Sequence, residues 1–403
     1  MSTNASDSSS LIQAYARLPV SFDRGDGVRL WDQQGNEYFD AIGGIAVCAL
    51  GHSHPAIAKT ISEQAGTLLH TSNLYSITHQ ENLANKLCEL TGMDAVFFAN
   101  SGAEANEAAL KLSRLHAHNK KIENPVVITF DGSFHGRTIA TLSATGNKKV
   151  HAGFAPLMSE FLHLPYNDIP AIEKVTDNKN IVAVLVEPIL GEGGIVVPDD
   201  GYLAAIRSIC DKHDWLMMCD EIQTGVGRTG NWYASIAQGV MPDVLTSAKA
   251  LGNGIPIGAC LTHGHAASLI QPGHHGSTFG GNPFATRVAL EVIDTMQREN
   301  TPANALASGT RLKEKLNEAL HNRAAVKEIR GQGMMIGVEL EGDCAGLVNT
   351  GLDNKVLFNV AAGNVVRLLP PCNLTESEVD EIARRVSDSI ITYCQTTSGA
   401  MAV

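Results

Sequence analysis

Two ionisable residues stand close behind short apolar runs in this chain. Asp220 follows Trp215-Leu-Met-Met-Cys219, and Lys249 comes three positions after Asp243-Val-Leu-Thr246. A carboxylate at the end of an apolar strand needs a partner, because an isolated buried charge is costly. An arginine or a backbone cap would serve. So would a pyridinium N–H, which an ionised carboxylate keeps protonated so that the ring can draw electrons. Lys249 is the only Lys between Lys212 and Lys313, and its neighbours are small or apolar. It is either a solvated surface amine or one shielded from water. In the second case its pKa falls and it can form a Schiff base.

Ser101-Gly-Ala-Glu104 has two readings that can hold together. One is a capping box, with Ser101 at the N-cap and Glu104 at N3. The other is a phosphate seat, since a Gly-rich helix start offers unpaired N–H groups and the positive dipole end. Similar polar turns follow other apolar runs: Asp131-Gly-Ser-Phe-His-Gly-Arg137, Glu187-Pro-Ile-Leu-Gly-Glu-Gly-Gly194, Asp220-Glu-Ile-Gln223 and Ser247-Ala-Lys249. Each alone reads as a helix cap or loop. Together, on one edge of a parallel sheet, they point to a shared site.

Other motifs carry less. Gly225-Val-Gly-Arg-Thr-Gly230 matches a dinucleotide fingerprint in letters only. Its first Gly is not at a strand end and no good helix start follows, so it reads as a flexible loop. No P-loop pattern occurs. His52/His54, His263/His265 and His274/His275 lack acidic or Cys partners at metal spacing, so zinc is not expected.

The elements that must position these turns follow from periodicity. Strands are predicted over 95–99, 126–130, 181–186, 215–219 and 243–246, with helices over 105–118 and 201–213. Ser53 is expected to cap a helix with Pro55 in its first turn. This rhythm predicts a mostly parallel sheet with helices on both faces. After residue 285 two long helical stretches (284–298, 306–322) precede strands at 336–340 and 365–369. Thr375-Glu-Ser-Glu378 then opens the last helix as a capping box. The expected organisation is an N-terminal segment, 1–54, joining a smaller domain; a large domain, 55–285; and a small C-terminal α+β domain, 286–403.

Length and composition exclude several classes. The 403 residues, 44% of them hydrophobic, allow two or three domains with a sizeable core. A formal charge of −12 argues against nucleic-acid binding. No uncharged apolar run is long enough to cross a membrane. Eight Cys without a C-x-x-C pair read as buried thiols in a reducing compartment. The first ten residues resemble no signal peptide and read as a disordered tail, as does 396–403. The expected location is the cytoplasm.

In their order, these turns resemble the class III (ornithine-type) pyridoxal-phosphate aminotransferases of fold type I. The resemblance runs from about residue 15 to 390. It is carried by Asn-Ser-Gly-Ala-Glu-Ala-Asn at 100–106, Phe-His-Gly-Arg at 134–137, Glu-Pro-Ile at 187–189, Gly-Glu-Gly-Gly at 191–194, Asp-Glu-Ile-Gln at 220–223, Gly-Arg-Thr-Gly at 227–230, Ser-Ala-Lys-Ala-Leu at 247–251 and Ser-Thr-Phe-Gly-Gly-Asn-Pro at 277–283. A closer likeness to members acting on N-acetylornithine is carried by Trp31-Asp-Gln-Gln-Gly, Gly43-Gly-Ile-Ala-Val, Leu50-Gly-His-Ser-His-Pro and His70-Thr-Ser-Asn.

The resemblance implies a large α/β domain with a smaller α+β domain, pyridoxal 5′-phosphate as cofactor, and a homodimer with a shared active site. Lys249 would hold the cofactor covalently and later act as general base. Asp220 would pair with the pyridine nitrogen, Gln223 with the phenolic oxygen, and Phe134 would stack on the ring. Ser101, Gly102 and Ala103 would seat the phosphate, Glu187 would contact the cofactor, and Thr278 would arrive from a second subunit. Many members carry Thr where this chain has Ala103. Arg137 would bind the distal carboxylate, Arg367 the α-carboxylate, with Ser277 nearby. Glu192 would neutralise Arg367 when the substrate brings no carboxylate there. The implied reaction takes an amine from N-acetylornithine and gives it to 2-oxoglutarate, forming glutamate, in arginine biosynthesis.

Ornithine, succinylornithine and 4-aminobutyrate are alternative donors. Ornithine-specific members often place Tyr near Ile45, and Ile45 suits an acylated amine. An aminomutase or decarboxylase on this fold would need no 2-oxoglutarate, and a binding module would need neither Lys249 nor Asp220.

Overall fold

The computed structural model describes residues 10–400, with side chains through residue 396. The N-terminal strands are β1 (Phe22–Asp26), β2 (Arg29–Asp32) and β3 (Glu37–Asp40). Seven strands follow: β4 (Ala95–Ala99), β5 (Val126–Phe130), β6 (Phe161–Leu164), β7 (Ile181–Val186), β8 (Leu216–Asp220), β9 (Val244–Ser247) and β10 (Gly258–Thr262). The last five are β11 (Val326–Gln332), β12 (Met335–Leu340), β13 (Val356–Leu357), β14 (Asn359–Ala361) and β15 (Val365–Leu368).

The central sheet has the order β4-β10-β9-β8-β7-β5-β6. Its pairs are parallel except around β10, which runs antiparallel to both neighbours. The α/β class and mostly parallel sheet read from the sequence are observed; β6 and β10 are additions to the predicted strands. Both faces are covered, which is why the strands are apolar throughout rather than alternating. Leu216 and Met218 pack with Ala108, Ala109 and Leu112 of the helix Gly102–Asn119. Met217 and Cys219 pack with Leu203 and Ile206 of the helix Tyr202–His213 on the other side.

Two smaller sheets flank this one. β1-β2-β3 is completed by β13, which joins β3 in parallel from more than 300 residues away in the chain. β11-β12-β15-β14 is antiparallel. The helices Pro283–Arg298 and Thr301–Leu320 bury Val288, Val292, Leu312 and Leu316 in one core shared with these sheets.

Three local expectations are corrected. Ser53 does not cap the helix Pro55–Ala65: His54 is the N-cap, and Ser53 has φ +52°. Pro55 at the helix start already removes one N–H that a cap would have to satisfy. The last helix runs over Glu376–Ala400, so residues 396–400 are helical rather than a tail. Residues 1–9 and 401–403 lie outside the described residues. The segment 225–230 is a loop but not an exposed flexible one: Arg228 is fully buried and donates to the carbonyls of Met334, at 3.0 Å, and Pro370. Five of the eight Cys are buried free thiols: Cys210, Cys219, Cys260, Cys344 and Cys372. Among the described residues no helix is long and apolar enough to cross a membrane, and no cluster could hold a metal ion.

Candidate active site

The carboxyl ends of the parallel strands meet in one cavity of about 450 Å³. Ser101, Gly102, Ala103, Phe134, Arg137, Glu187, Glu192, Asp220, Gln223 and Lys249 all line it. Val47, Ile222, Ile255 and Ile257 form apolar walls, which sequence reasoning had not singled out.

Asp220 is the last residue of β8 and is buried. Its Oδ2 accepts hydrogen bonds from Asn106 Nδ2 and His135 Nδ1, both at 2.8 Å, and its Oδ1 accepts one from Ile222 N at 3.1 Å. An ionised carboxylate only accepts, so His135 carries its proton on Nδ1. Asn106 is itself fixed, donating also to His135 O at 2.8 Å and accepting from Thr246 Oγ1 at 2.8 Å. His135 and Asn106 were missed as partners of Asp220. The one available signal was Asn106 on the Ala-rich face of its helix, where a buried amide requires a partner.

Lys249 follows β9 and starts a short 3-10 turn with φ +46°. Among the described residues its amine has no hydrogen-bond partner. Burial, then the nearby Arg367 charge, lower the amine below its ordinary value, against the pull of Glu192, Asp220 and Glu187. Glu187 is buried and accepts from Phe134 N at 3.2 Å. Its carboxyl is pushed well above the ordinary range by burial and then by the Asp220 charge. Both causes favour its protonated form.

At the start of the helix Gly102–Asn119, Ser101 Oγ accepts from Glu104 N at 3.2 Å. Half of the capping box forms as read. The return arm differs: Glu104 accepts from Asn100 N at 2.8 Å and from Ser101 Oγ at 3.1 Å. The N–H groups of Gly102 and Ala103 have no intrahelical acceptor and face an anion-ready position. A Cβ at Gly102 would stand 2.8 Å from Ile222 Cδ1 and 2.9 Å from its Cγ2, so the glycine leaves Ile222 its place against the helix start.

Gln223 is buried with Oε1 unpartnered. A Cβ at Gly191 would lie 2.3 Å from that oxygen, so Gly191 leaves it room. Phe134 lines the cavity, and the exposed Arg137 guanidinium stands 5.5 Å from its ring centroid. Arg367 is fully buried, just behind Glu192. Its Nη1 donates to Glu192 Oε1 at 2.5 Å and its Nε to Asn359 Oδ1 at 3.0 Å. Glu192 stands between this guanidinium and the cavity.

Two predicted residues are set apart. Ser277 borders a neighbouring groove, although its Oγ accepts from Asn100 Nδ2 at 3.2 Å. Thr278 is exposed in that same groove and does not line the cavity of its own chain.

The donor set fits a phosphorylated aromatic aldehyde. A Gly-rich helix start suits the phosphate, an ionised carboxylate a ring N–H, an orphaned amide oxygen a polar substituent, and an unpartnered amine of lowered pKa the aldehyde.

The family described as "Aminotransferase class-III" matches residues 12–390. The acetylornithine aminotransferase of Nitrosomonas europaea is 51% identical over 96% of this chain and 98% of its own. The ornithine aminotransferase of Toxoplasma gondii, in a structure with partial occupancy of PLP at the active site, superposes with a TM-score of 0.93 at 34% identity, covering 96% of this chain and 93% of that one. The N-acetylornithine aminotransferase of Stenotrophomonas maltophilia does so with a TM-score of 0.84 at 34% identity, covering 95% and 98%.

Proposed function

The chain belongs to the class III aminotransferases, and from that premise we propose that it transfers the terminal amine of N2-acetyl-L-ornithine to 2-oxoglutarate. The products are N-acetyl-L-glutamate 5-semialdehyde and L-glutamate, a step of arginine biosynthesis. The cofactor is pyridoxal 5′-phosphate, which when bound supplies an amine-accepting aldehyde and an electron-drawing ring.

The observation that carries the reading is the Glu192–Arg367 pair. A buried guanidinium is neutralised by a carboxylate that is itself one-third exposed at the cavity. N-acetylornithine reacts at its terminal amine and brings no carboxylate beside the reacting carbon, so Glu192 stays on Arg367. 2-Oxoglutarate and glutamate bring one, and Glu192 yields its place. Bidentate carboxylate binding suits an arginine in that role. Arg137, which also lines the cavity, takes the distal carboxylate.

The remaining residues act as follows. Lys249 would hold the cofactor through its amine. Its free amine would serve as the base toward the carbon bearing the donor amine, a task its lowered pKa favours. Asp220, held by His135 and Asn106, would keep a proton on the ring nitrogen. Gln223 would take the phenolic oxygen, Phe134 would stack on the ring, and Glu187 would border it. Ser101, Gly102 and Ala103 hold the phosphate through the helix start, without the hydroxyl that Thr would add at 103.

Thr278 completes the phosphate site from a second copy of the chain, and Ser277 helps bind substrate. Exposed Leu74, which lines that groove, and exposed Tyr75 and Phe279, next in the chain to residues that line it, support a homodimer. Seven free thiols, at Cys48, Cys88, Cys210, Cys219, Cys260, Cys344 and Cys372, support a cytoplasmic location.

The test is the visible spectrum of the purified protein loaded with pyridoxal phosphate. N-acetylornithine should bleach the band and 2-oxoglutarate restore it. A band that ignores N-acetylornithine but responds to ornithine or 4-aminobutyrate overturns the donor. One that never responds to 2-oxoglutarate overturns transamination.

A further inference from the structure

Arg367 makes two hydrogen bonds and leaves one nitrogen over. Nη1 reaches Glu192 and Nε reaches Asn359, while Nη2 is buried without a partner. A guanidinium offers a carboxylate two bidentate edges: the end edge, Nη1 with Nη2, and the side edge, Nε with Nη2. Asn359 closes the side edge. Only the end edge is left, and Glu192 uses half of it.

The placement of Asn359 comes from the sheet. It pairs in register with Arg367 across β14 and β15, so the two side chains stand on one face of the same antiparallel pair. Because Arg367 only donates, the Asn359 oxygen must be the acceptor. Asn359 is also neutral. An Asp there would compensate the guanidinium permanently, and a departing Glu192 would leave nothing for a substrate to gain.

We propose that Asn359 is a positioning residue for recognition of the acceptor. It holds Nε of Arg367 and presents the Nη1–Nη2 edge, with its charge intact, to the α-carboxylate of a dicarboxylate such as 2-oxoglutarate or glutamate. The orphaned Nη2 explains the exchange: a bidentate substrate carboxylate satisfies an N–H that Glu192 leaves unpaired. The inference rests on reading Arg367 as a carboxylate binder.

The experiment compares the two half-reactions in holoenzyme carrying Asn359→Ala or Asn359→Asp, together with melting temperatures. The wild type comes first. If its cofactor band does not respond to 2-oxoglutarate after the amine donor, the reading of Arg367 fails whatever Asn359 does. Given that response, Asn359→Ala should raise KM for 2-oxoglutarate roughly tenfold, the worth of one hydrogen bond to a charged group. The N-acetylornithine half-reaction should change little. Asn359→Asp keeps shape and acceptor, so it remains informative if the Ala variant is unstable. It should raise KM for 2-oxoglutarate at least as far and move the pH titration of the cofactor band upward, since a compensated Arg367 no longer depresses Lys249. An unchanged KM for 2-oxoglutarate in the folded variants overturns the proposal. So does a loss shared equally by both half-reactions, which marks a merely structural residue.

Discussion

His135 Nδ1 lies 2.8 Å from Asp220 Oδ2, with both side chains buried. The two residues are 85 positions apart in the chain and end up facing each other across β7, which stands between β5 and β8. The imidazole holds the Asp220 carboxyl in place, where the proposed chemistry needs an acceptor. Replacing His135 with Ala removes that charged hydrogen bond. We expect kcat/KM to fall roughly 10- to 100-fold, the equivalent of ~1.5–3 kcal/mol. His135→Asn, which can still donate, should recover part of it. Steady-state kinetics on both variants decide the matter.

Lys249→Ala should leave the fold and abolish turnover, with kcat down by at least about 100-fold from the loss of the base alone. The variant should also lose the visible band that depends on the amine, while retaining phosphate-driven affinity for the cofactor. Ordinary rates from this variant would remove Lys249 from the mechanism.

Gly191→Ala tests the space beside Gln223. The new Cβ would stand 2.3 Å from Gln223 Oε1 and 2.6 Å from its Cδ. The amide, the end of a flexible side chain, must swing away from its place at the cavity. Expected is weaker cofactor binding, followed by absorbance titration, with little change in melting temperature. Gly342→Ala serves as comparison, since no atom lies within 4 Å of a Cβ there.

His52 gives a pH dependence with a definite sign. Its Nε2 is 2.8 Å from Asp40 Oδ2, and Asp40 Oδ1 accepts from the backbone N–H groups of Ile42 and Gly43. The imidazole is pushed up from 6.5 to about 10, first by the Asp40 hydrogen bond and then by that of Cys48. The folded state holds this proton more tightly than the unfolded one. The stabilisation is therefore complete below pH 6.5, shrinks as pH rises, and is gone above about 10. The melting-temperature gap between wild type and His52→Gln should narrow over that window. A constant gap would show that His52 contributes by packing rather than by charge.

Much of the site could be read before any coordinates. Asp220 and Lys249 stood out because an ionisable residue close behind a buried apolar run violates the local pattern, and such violations mark function. The polar turns after β4, β5, β7, β8 and β9 were legible for the same reason: hydrophobic periodicity is local, and where it stops abruptly a strand ends. The carboxyl-edge rule then grouped them. The N-cap at Ser101 was local too, and it is observed.

What the sequence determined by itself is this set of short-range facts: which runs are buried strands, which helices present apolar faces, and which residues stand at the edge where a ligand can sit. The tertiary structure alone decided the pairings. Asp220 meets His135 and Asn106 only because β5, β7 and β8 are neighbours in that order. Arg367 is aimed by Asn359 only because β14 pairs with β15 in that register. β10 runs antiparallel, and β13 closes the N-terminal sheet. The physical reason is common to all of these. Burial and backbone preference act over a few residues and leave their period in the sequence. Strand order and register are settled by the packing of the whole chain, and a polar side chain finds its partner only after that packing is complete.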